Sequence, residues 1–281
     1  MDALLNGKPL DVVAIERLRA FEPKDGYWLA FSGGKDSVVI RDLARRAGVA
    51  CEVHYSLTTV DPPELVRFIK SHADVAIDRP PRTLWQMIRD KGGMPTARHR
   101  WCCELLKERG GSGRTVVTGV RRAESAGRSK RRMIEVCQRD STKRYLNVII
   151  DWSTAEVWHY IRERGVPYCT LYDEGFARLG CVMCPKARSQ RREAERWPKI
   201  AAAWRRACYA AWESRESQQA RFPTPEAMWQ WWLDGGDGSY AAYAGCFEER
   251  GGLFEERKDD TFAETDSPKR TPALAGVHEE V

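Results

Sequence analysis

Tyr27-Trp28-Leu29-Ala30-Phe31-Ser32-Gly33-Gly34-Lys35-Asp36-Ser37 is the stretch from which the fold is read. Its first five residues are a short apolar run, the pattern of a buried strand, and residues 38–47 read as a helix that Gly48 stops. Between them, two glycines let the backbone turn sharply and bring its N–H groups close to an anion. The start of the following helix adds a favourable dipole. Ser32 and Ser37 supply hydroxyl donors, Lys35 a point charge, and Asp36 a carboxylate able to orient the loop or hold Mg²⁺. Residues 32–37 are therefore read as a phosphate loop. It is not a Walker loop: Leu29 stands where that motif needs glycine, and Asp36 where it needs serine or threonine.

Working outward, residues 49–57 fit a second strand, which completes a β-loop-α-β unit. Upstream, Leu10, Val13, Ile15, Leu18 and Phe21 are spaced for one face of a helix over 9–21. Downstream, helices are expected over 64–72, 83–91 and 154–164, the last capped by Ser153, and strands over 75–77, 115–119 and 146–150. Residues 187–219 and 224–234 read as tryptophan-rich helices, with Trp197, Trp204 and Trp212 spaced for a buried face rather than for stacking on bases. The expected fold class is α/β: a doubly wound, mostly parallel, Rossmann-like sheet with a helical C-terminal extension. Residues 1–185 are expected to form the nucleotide-binding domain and 186–247 the extension. Residues 248–281 form a charged tail, with 255–281 read as largely disordered. No internal repeat is present.

Composition narrows the class. The 281 residues carry a net charge of +6, a modest excess that suits anionic ligands without requiring nucleic acid. Basic residues cluster at 98–144 and 186–206. No apolar run approaches the roughly 20 residues a membrane span needs, and the first residues lack the pattern of a signal peptide. The expected compartment is the cytoplasm, with no membrane partner.

Nine cysteines in a reducing compartment point to metal binding or catalysis rather than to disulfides. Cys102-Cys103 is one pair and Cys181-Val182-Met183-Cys184 another. Four thiolates from two loops suit a [4Fe–4S] cluster or zinc, and the C-x-x-C by itself also fits a redox pair. Cys51 and Cys208 read as buried thiols. Cys137 and Cys169 are weaker candidates for carrying sulfur.

The loop SGGKDS resembles the pyrophosphate-binding loop of the adenine-nucleotide α-hydrolase superfamily, the PP-loop ATP pyrophosphatases. Further blocks are similar to the phosphoadenosine-phosphosulfate (PAPS) reductase family: Thr58-Thr59-Val60-Asp61-Pro62-Pro63-Glu64, Gly119-Val120-Arg121-Arg122-Ala123-Glu124-Ser125 with Arg128, Asp151-Trp152, and a block over 166–176. The resemblance covers roughly residues 25–190. It implies that Ser32, Gly33, Gly34, Lys35, Asp36, Ser37, Asp61, Gly119, Arg121 and Arg122 hold an adenine nucleotide. It also implies that Lys35, Asp36, Arg121 and Arg128 act in catalysis, and that Cys102, Cys103, Cys181 and Cys184 hold a [4Fe–4S] cluster.

Sulfonucleotide reductases of this family use a cysteine near the C-terminus, followed by glycine and histidine. Residues 269–278 contain no cysteine, and Cys246 is followed by Phe247-Glu248-Glu249. The expected chemistry is therefore an ATP-dependent sulfurtransferase. ATP with Mg²⁺ would be cleaved to AMP and pyrophosphate while activating an acceptor, and sulfur would then displace AMP. DNA phosphorothioation and tRNA thiolation enzymes are similar in outline, which implies a nucleic-acid acceptor (DNA or tRNA) and a cysteine desulfurase or other sulfur donor. A homodimer is one assembly open to such an enzyme. The alternatives are a PAPS or APS reductase and a non-catalytic nucleotide- or cluster-binding module.

Overall fold

The computed structural model describes residues 4–187 and 189–236; the expectations for Cys246 and for the 248–281 tail lie outside them. The chain opens with a two-stranded antiparallel hairpin, β1 (Leu4–Leu5) and β2 (Lys8–Pro9). Asn6 and Gly7 between them both have positive φ, 53° and 76°, as an Asn-Gly hairpin turn requires. α1 (Leu10–Ala20) follows. It buries Leu10, Ala14 and Leu18, an i, i+4, i+8 row, while Phe21 stays 43% exposed. The buried stripe thus runs through Ala14 rather than through the expected Val13, Ile15 and Phe21.

The alternation then begins: β3 (Tyr27–Ala30), α2 (Lys35–Ala47), β4 (Cys51–Ser56), α3 (Pro63–Lys70), β5 (Val75–Asp78), α4 (Leu84–Lys91), α5 (Trp101–Leu106) and β6 (Thr115–Thr118). Gly48 ends α2 in the left-handed region (φ 69°), where glycine has no Cβ penalty. α6 (Ala126–Ser129), β7 (Ile134–Val136), β8 (Arg144–Asn147) and α7 (Thr154–Arg164) follow, the last carrying the expected Ser153 cap as a full capping box with Glu156. The helices after the C-x-x-C are α8 (Gln190–Arg196), α9 (Pro198–Glu213), α10 (Glu216–Arg221) and α11 (Pro225–Leu233). The helix expected over 187–219 is broken at Trp197, whose extended backbone (φ −127°, ψ 68°) precedes Pro198. It breaks again around Arg215, the N-cap of α10.

The six-stranded sheet has the order β5-β4-β3-β6-β8-β7, parallel throughout except for the β7–β8 pair at one edge. The chain builds outward from β3 to β5, then returns to lay β6 on the other side of β3. At such a reversal the connections leaving the carboxyl ends of the two central strands diverge and open a crevice. Here those connections are residues 31–34 after β3 and 119–121 after β6.

Two sequence expectations change. β8 ends at Asn147 and the apolar run Val148-Ile149-Ile150 is a buried turn, with Ile150 N–H donating to Asn147 O at 3.2 Å. An apolar run reports burial, and a turn buried under helices satisfies it as well as a strand does. The edge strand β7 and the short helix α5 had no periodic signal at all. The tryptophans behave as expected: Trp204 lies 5.2 Å edge-on from Trp85 of α4 and 4.6 Å from Trp232 of α11. The helices after residue 190 thereby share one continuous core with the sheet. Among the described residues no helix is long and apolar enough to cross a membrane.

Candidate active site: the phosphate loop and the cysteine pairs

The loop between β3 and α2 owes its shape to Gly33, which has φ +70°. A Cβ there would lie 2.6 Å from Leu65 Cδ1 and 2.8 Å from Ile69 Cγ1, so α3 packs directly on bare backbone. Gly34 is the N-cap of α2. Ser37 Oγ donates to Gly34 O at 2.8 Å and Gly34 N–H reaches Ser32 Oγ at 3.4 Å, so both serines brace the turn. Lys35 N–H donates to the Tyr172 hydroxyl at 2.8 Å.

Asp36 is held between two cations. Its Oδ2 accepts from Lys35 Nζ at 2.9 Å and its Oδ1 from Arg121 Nε at 2.7 Å. Arg121 is 1% exposed and also donates to Trp152 O at 3.2 Å and Thr154 Oγ1 at 3.4 Å. Gly119 makes this approach feasible, since a Cβ there would lie 2.9 Å from Asp36 Cβ. Both carboxylate oxygens are thus engaged in orienting the loop, which argues for the first of Asp36's two sequence-derived roles over metal binding. Arg121 therefore meets the loop through Asp36.

The remaining basic candidates lie on the neighbouring segment. Arg128 pairs with Glu124, whose Oε2 also accepts from Arg121 N–H at 3.2 Å. Burial alone would raise the Glu124 carboxyl; the bonds from Arg128 and Arg121 outweigh it and hold the pKa below its ordinary value. Arg122 Nη1 donates to Asp151 Oδ1 at 2.5 Å, and Asp151 pairs with Arg17 at 2.6 Å. The structure therefore gathers residues 32–37, Gly119 and Arg121, and ties Arg122 and Arg128 to their own carboxylates.

The cysteines form a second centre. Cys102 and Cys103 sit in the first turn of α5, and Cys181 and Cys184 in the loop that follows Gly180. The adjacent thiols perturb one another: Cys103, and then burial, raises the Cys102 thiol, and Cys102 lowers Cys103, which also feels Lys107 and Arg100; Cys181 and Cys184 lie within electrostatic reach of Cys102. Burial pushes the Cys181 thiol up, with Lys107 opposing it. Among the described residues no group of three or more His, Cys, Asp or Glu side chains is placed to close on a single metal ion. A four-iron cluster, which gives each thiolate its own iron, asks for a wider set than tetrahedral zinc does.

The C-x-x-C loop is strapped down by groups the sequence did not announce. Cys181 Sγ donates to Thr58 Oγ1 at 3.4 Å and Val182 N–H to Val60 O at 2.8 Å, joining this loop to the 58–64 block. Trp204 Nε1 donates to Val182 O at 3.1 Å. Met183 takes φ +57° and donates its N–H to Glu193 Oε2 at 2.5 Å, while Glu193 Oε1 accepts from Ser189 Oγ at 2.6 Å. Asp61 Oδ2 accepts from Thr58 N–H at 2.8 Å. Lys107, near Cys181, Asp61 and Cys103, is raised chiefly by its interaction with Cys181. The 58–64 block thus serves both centres: its first residues hold the cysteine loop, and the helix it opens, α3, buttresses Gly33.

Replacing Glu193 by alanine should leave the Met183 N–H buried without an acceptor. The expected cost is about 1–3 kcal/mol, read by urea unfolding. Glu193→Gln keeps an acceptor oxygen and should recover most of it. Equal stability of both variants with the parent would show that the strap does not hold the loop.

Among the described basic residues beyond the C-x-x-C, Arg191 and Arg192 are engaged within the chain. Arg191 pairs with Asp234 at 2.6 Å. Arg192 lies 5.1 Å over the Phe176 ring and donates to Glu174 O at 3.3 Å. Lys186 lines a cavity of about 550 Å³ together with Gln190 and Leu233.

Other proteins are similar to this chain in sequence. An uncharacterized protein of Methanocaldococcus jannaschii is 34% identical over 190 residues, 62% of this chain; the chain spans 46% of that protein's length. The adenosine 5'-phosphosulfate reductase of Pseudomonas aeruginosa is 33% identical over 193 residues, covering 62% of this chain and 72% of the reductase. A crystal structure of PAPS reductase from Candida auris, in complex with phosphate, aligns with a TM-score of 0.48 at 20% identity, over 64% of this chain and 98% of that one. Residues 26–187 match the model of the phosphoadenosine phosphosulfate reductase domain. That span contains the phosphate loop, the Asp36–Arg121 pair and all four paired cysteines, and the chain belongs to the PAPS reductase domain family.

Proposed function

We propose that the protein is an ATP-dependent sulfurtransferase of PAPS-reductase type, acting on a nucleic acid. The observation that carries this reading is the state of the thiols outside the two pairs. Cys169 and Cys208 are buried, and burial pushes both thiols up. Cys51 is pushed up as well, by burial and then by Asp74. Cys137 is lowered, by Tyr145 and neighbouring backbone N–H groups against the effect of burial, and it follows the edge strand β7. Among the described thiols outside the two pairs it is the one held below its ordinary value, and none of them is followed by the glycine and histidine of the reductase pattern. Activation of an acceptor with ATP needs no such cysteine.

In this reading residues 32–37 bind the phosphates of ATP, and an acceptor oxygen attacks the α-phosphorus. The bond from the α-phosphorus to the bridging oxygen breaks and pyrophosphate leaves. Hydrosulfide, or the terminal sulfur of a persulfide from a cysteine desulfurase followed by a thiol reductant, then displaces AMP. Lys35 and the loop N–H groups hold the charge that develops on the leaving pyrophosphate. Asp36, clamped by Arg121, fixes Lys35. Cys102, Cys103, Cys181 and Cys184 are the donor set for a [4Fe–4S] cluster, which when bound would supply a redox-active, sulfide-bearing centre.

A second reading, a sulfonucleotide reductase, is favoured by the likeness to the Pseudomonas reductase over most of that enzyme's length. One experiment separates the two. Protein purified without oxygen is expected to carry about four irons per chain and to release pyrophosphate from Mg·ATP when given DNA or tRNA and sulfide. Sulfite release from APS or PAPS with a thiol reductant, without pyrophosphate from ATP, would establish the reductase instead. Nucleotide binding with neither product would leave a binding module.

A further inference from the structure

The segment over 166–176 takes no part in the chemistry above, yet among the described residues it supplies the one side chain from outside the loop that bonds to the loop's backbone. The first N–H groups of a helix have no partners within the helix. In α2 the first of them, on Lys35, points at the oxygen of Tyr172. That oxygen accepts; its own hydrogen has no acceptor among the described residues. A Cβ at Gly34 would stand 3.4 Å from the Tyr172 oxygen, in ordinary contact with it. The ring is fixed from behind. It meets Trp158 edge-on at 5.0 Å and Tyr168 at 6.3 Å, and its backbone belongs to a 3-10 turn, Thr170–Tyr172, whose Leu171 is fully buried. The hydroxyl is thus a rigid O–H placed at the mouth of the phosphate loop.

We propose that Tyr172 donates this hydrogen to a phosphate oxygen of the bound nucleotide, so that the row of loop N–H donors is continued by an O–H that Lys35 N–H holds in place. Accepting from the positive end of a helix polarises the phenol and makes it a better donor toward an anion. Burial keeps the phenol protonated well above its usual range, so the hydrogen is present at neutral pH. The ligand is a phosphate-bearing nucleotide rather than the nucleoside, and the inference rests on the reading of residues 32–37 as the phosphate site.

The test is calorimetric binding of inorganic pyrophosphate and of Mg·ATP to the full chain. Tyr172→Phe keeps the ring and its packing and removes only the hydroxyl. It should weaken both ligands by about 10-fold or more, as the loss of a hydrogen bond to a charged group does. If the parent protein binds neither ligand, the phosphate-loop reading itself fails. If the parent binds and Tyr172→Phe binds equally well or more tightly, only the role of Tyr172 falls; tighter binding would make the phenol a plug that phosphate must displace.

Discussion

Arg121→Met is expected to destabilise the protein by about 3 kcal/mol or more and to abolish nucleotide binding with it. The guanidinium is 1% exposed and spans three partners from three places in the chain: Asp36 at the start of α2, Trp152 O, and Thr154 at the start of α7. Removing one member of a buried pair strands the other, and such losses run to about 3–5 kcal/mol. The lower end applies because Asp36 is partly exposed and keeps Lys35 as a partner. Methionine fills the volume, so the loss reports the interaction rather than a cavity. Urea unfolding monitored by tryptophan fluorescence measures it. Pairing the change with Asp36→Asn should give less than the sum of the two single effects, because both remove the same contact. An arginine that gripped phosphate directly would behave differently: Arg121→Met would then bind nucleotide poorly at undiminished stability.

Gly33→Ala should cost about 2–5 kcal/mol, through two separate causes. A left-handed backbone costs a residue with a Cβ roughly 1–2 kcal/mol, and the added methyl would press on Leu65 and Ile69, where overpacking costs about 1–3 kcal/mol. The neighbouring glycine supplies the control. Gly34 has φ −78°, and a Cβ there would meet Ser32 Oγ and the Tyr172 oxygen only at 3.4 Å. Gly34→Ala should therefore fold with a loss below about 1 kcal/mol, since ordinary contact distances call for little adjustment. Thermal unfolding of the two variants side by side tests the pair. Equal losses would mean that Gly33 is not the residue that sets the loop's shape.

The contrast between these glycines marks how far the sequence could be read. SGGKDS between an apolar run and a helical pattern identified the loop, because phosphate binding at a helix start depends on local backbone freedom and local donors. The same locality made Gly48 and Ser153 legible as a helix stop and a helix cap. The paired cysteines were visible for a similar reason, since two thiols close in sequence are necessarily close in space. The break at Trp197 was within reach through Pro198 but was outweighed by the regular spacing of the tryptophans around it. The turn at 148–150 was not within reach, because its burial makes it apolar whatever its backbone conformation.

What the sequence by itself determined is a parallel α/β nucleotide domain with SGGKDS at its centre and two cysteine pairs beside it. The tertiary structure decided which residues serve that loop. Arg121 reaches Asp36 from 85 positions away and Tyr172 reaches Lys35 from 137. Glu193 and Trp204 hold the C-x-x-C loop from α8 and α9. No spacing in the chain encodes those contacts, because each joins segments that only the packed fold brings together.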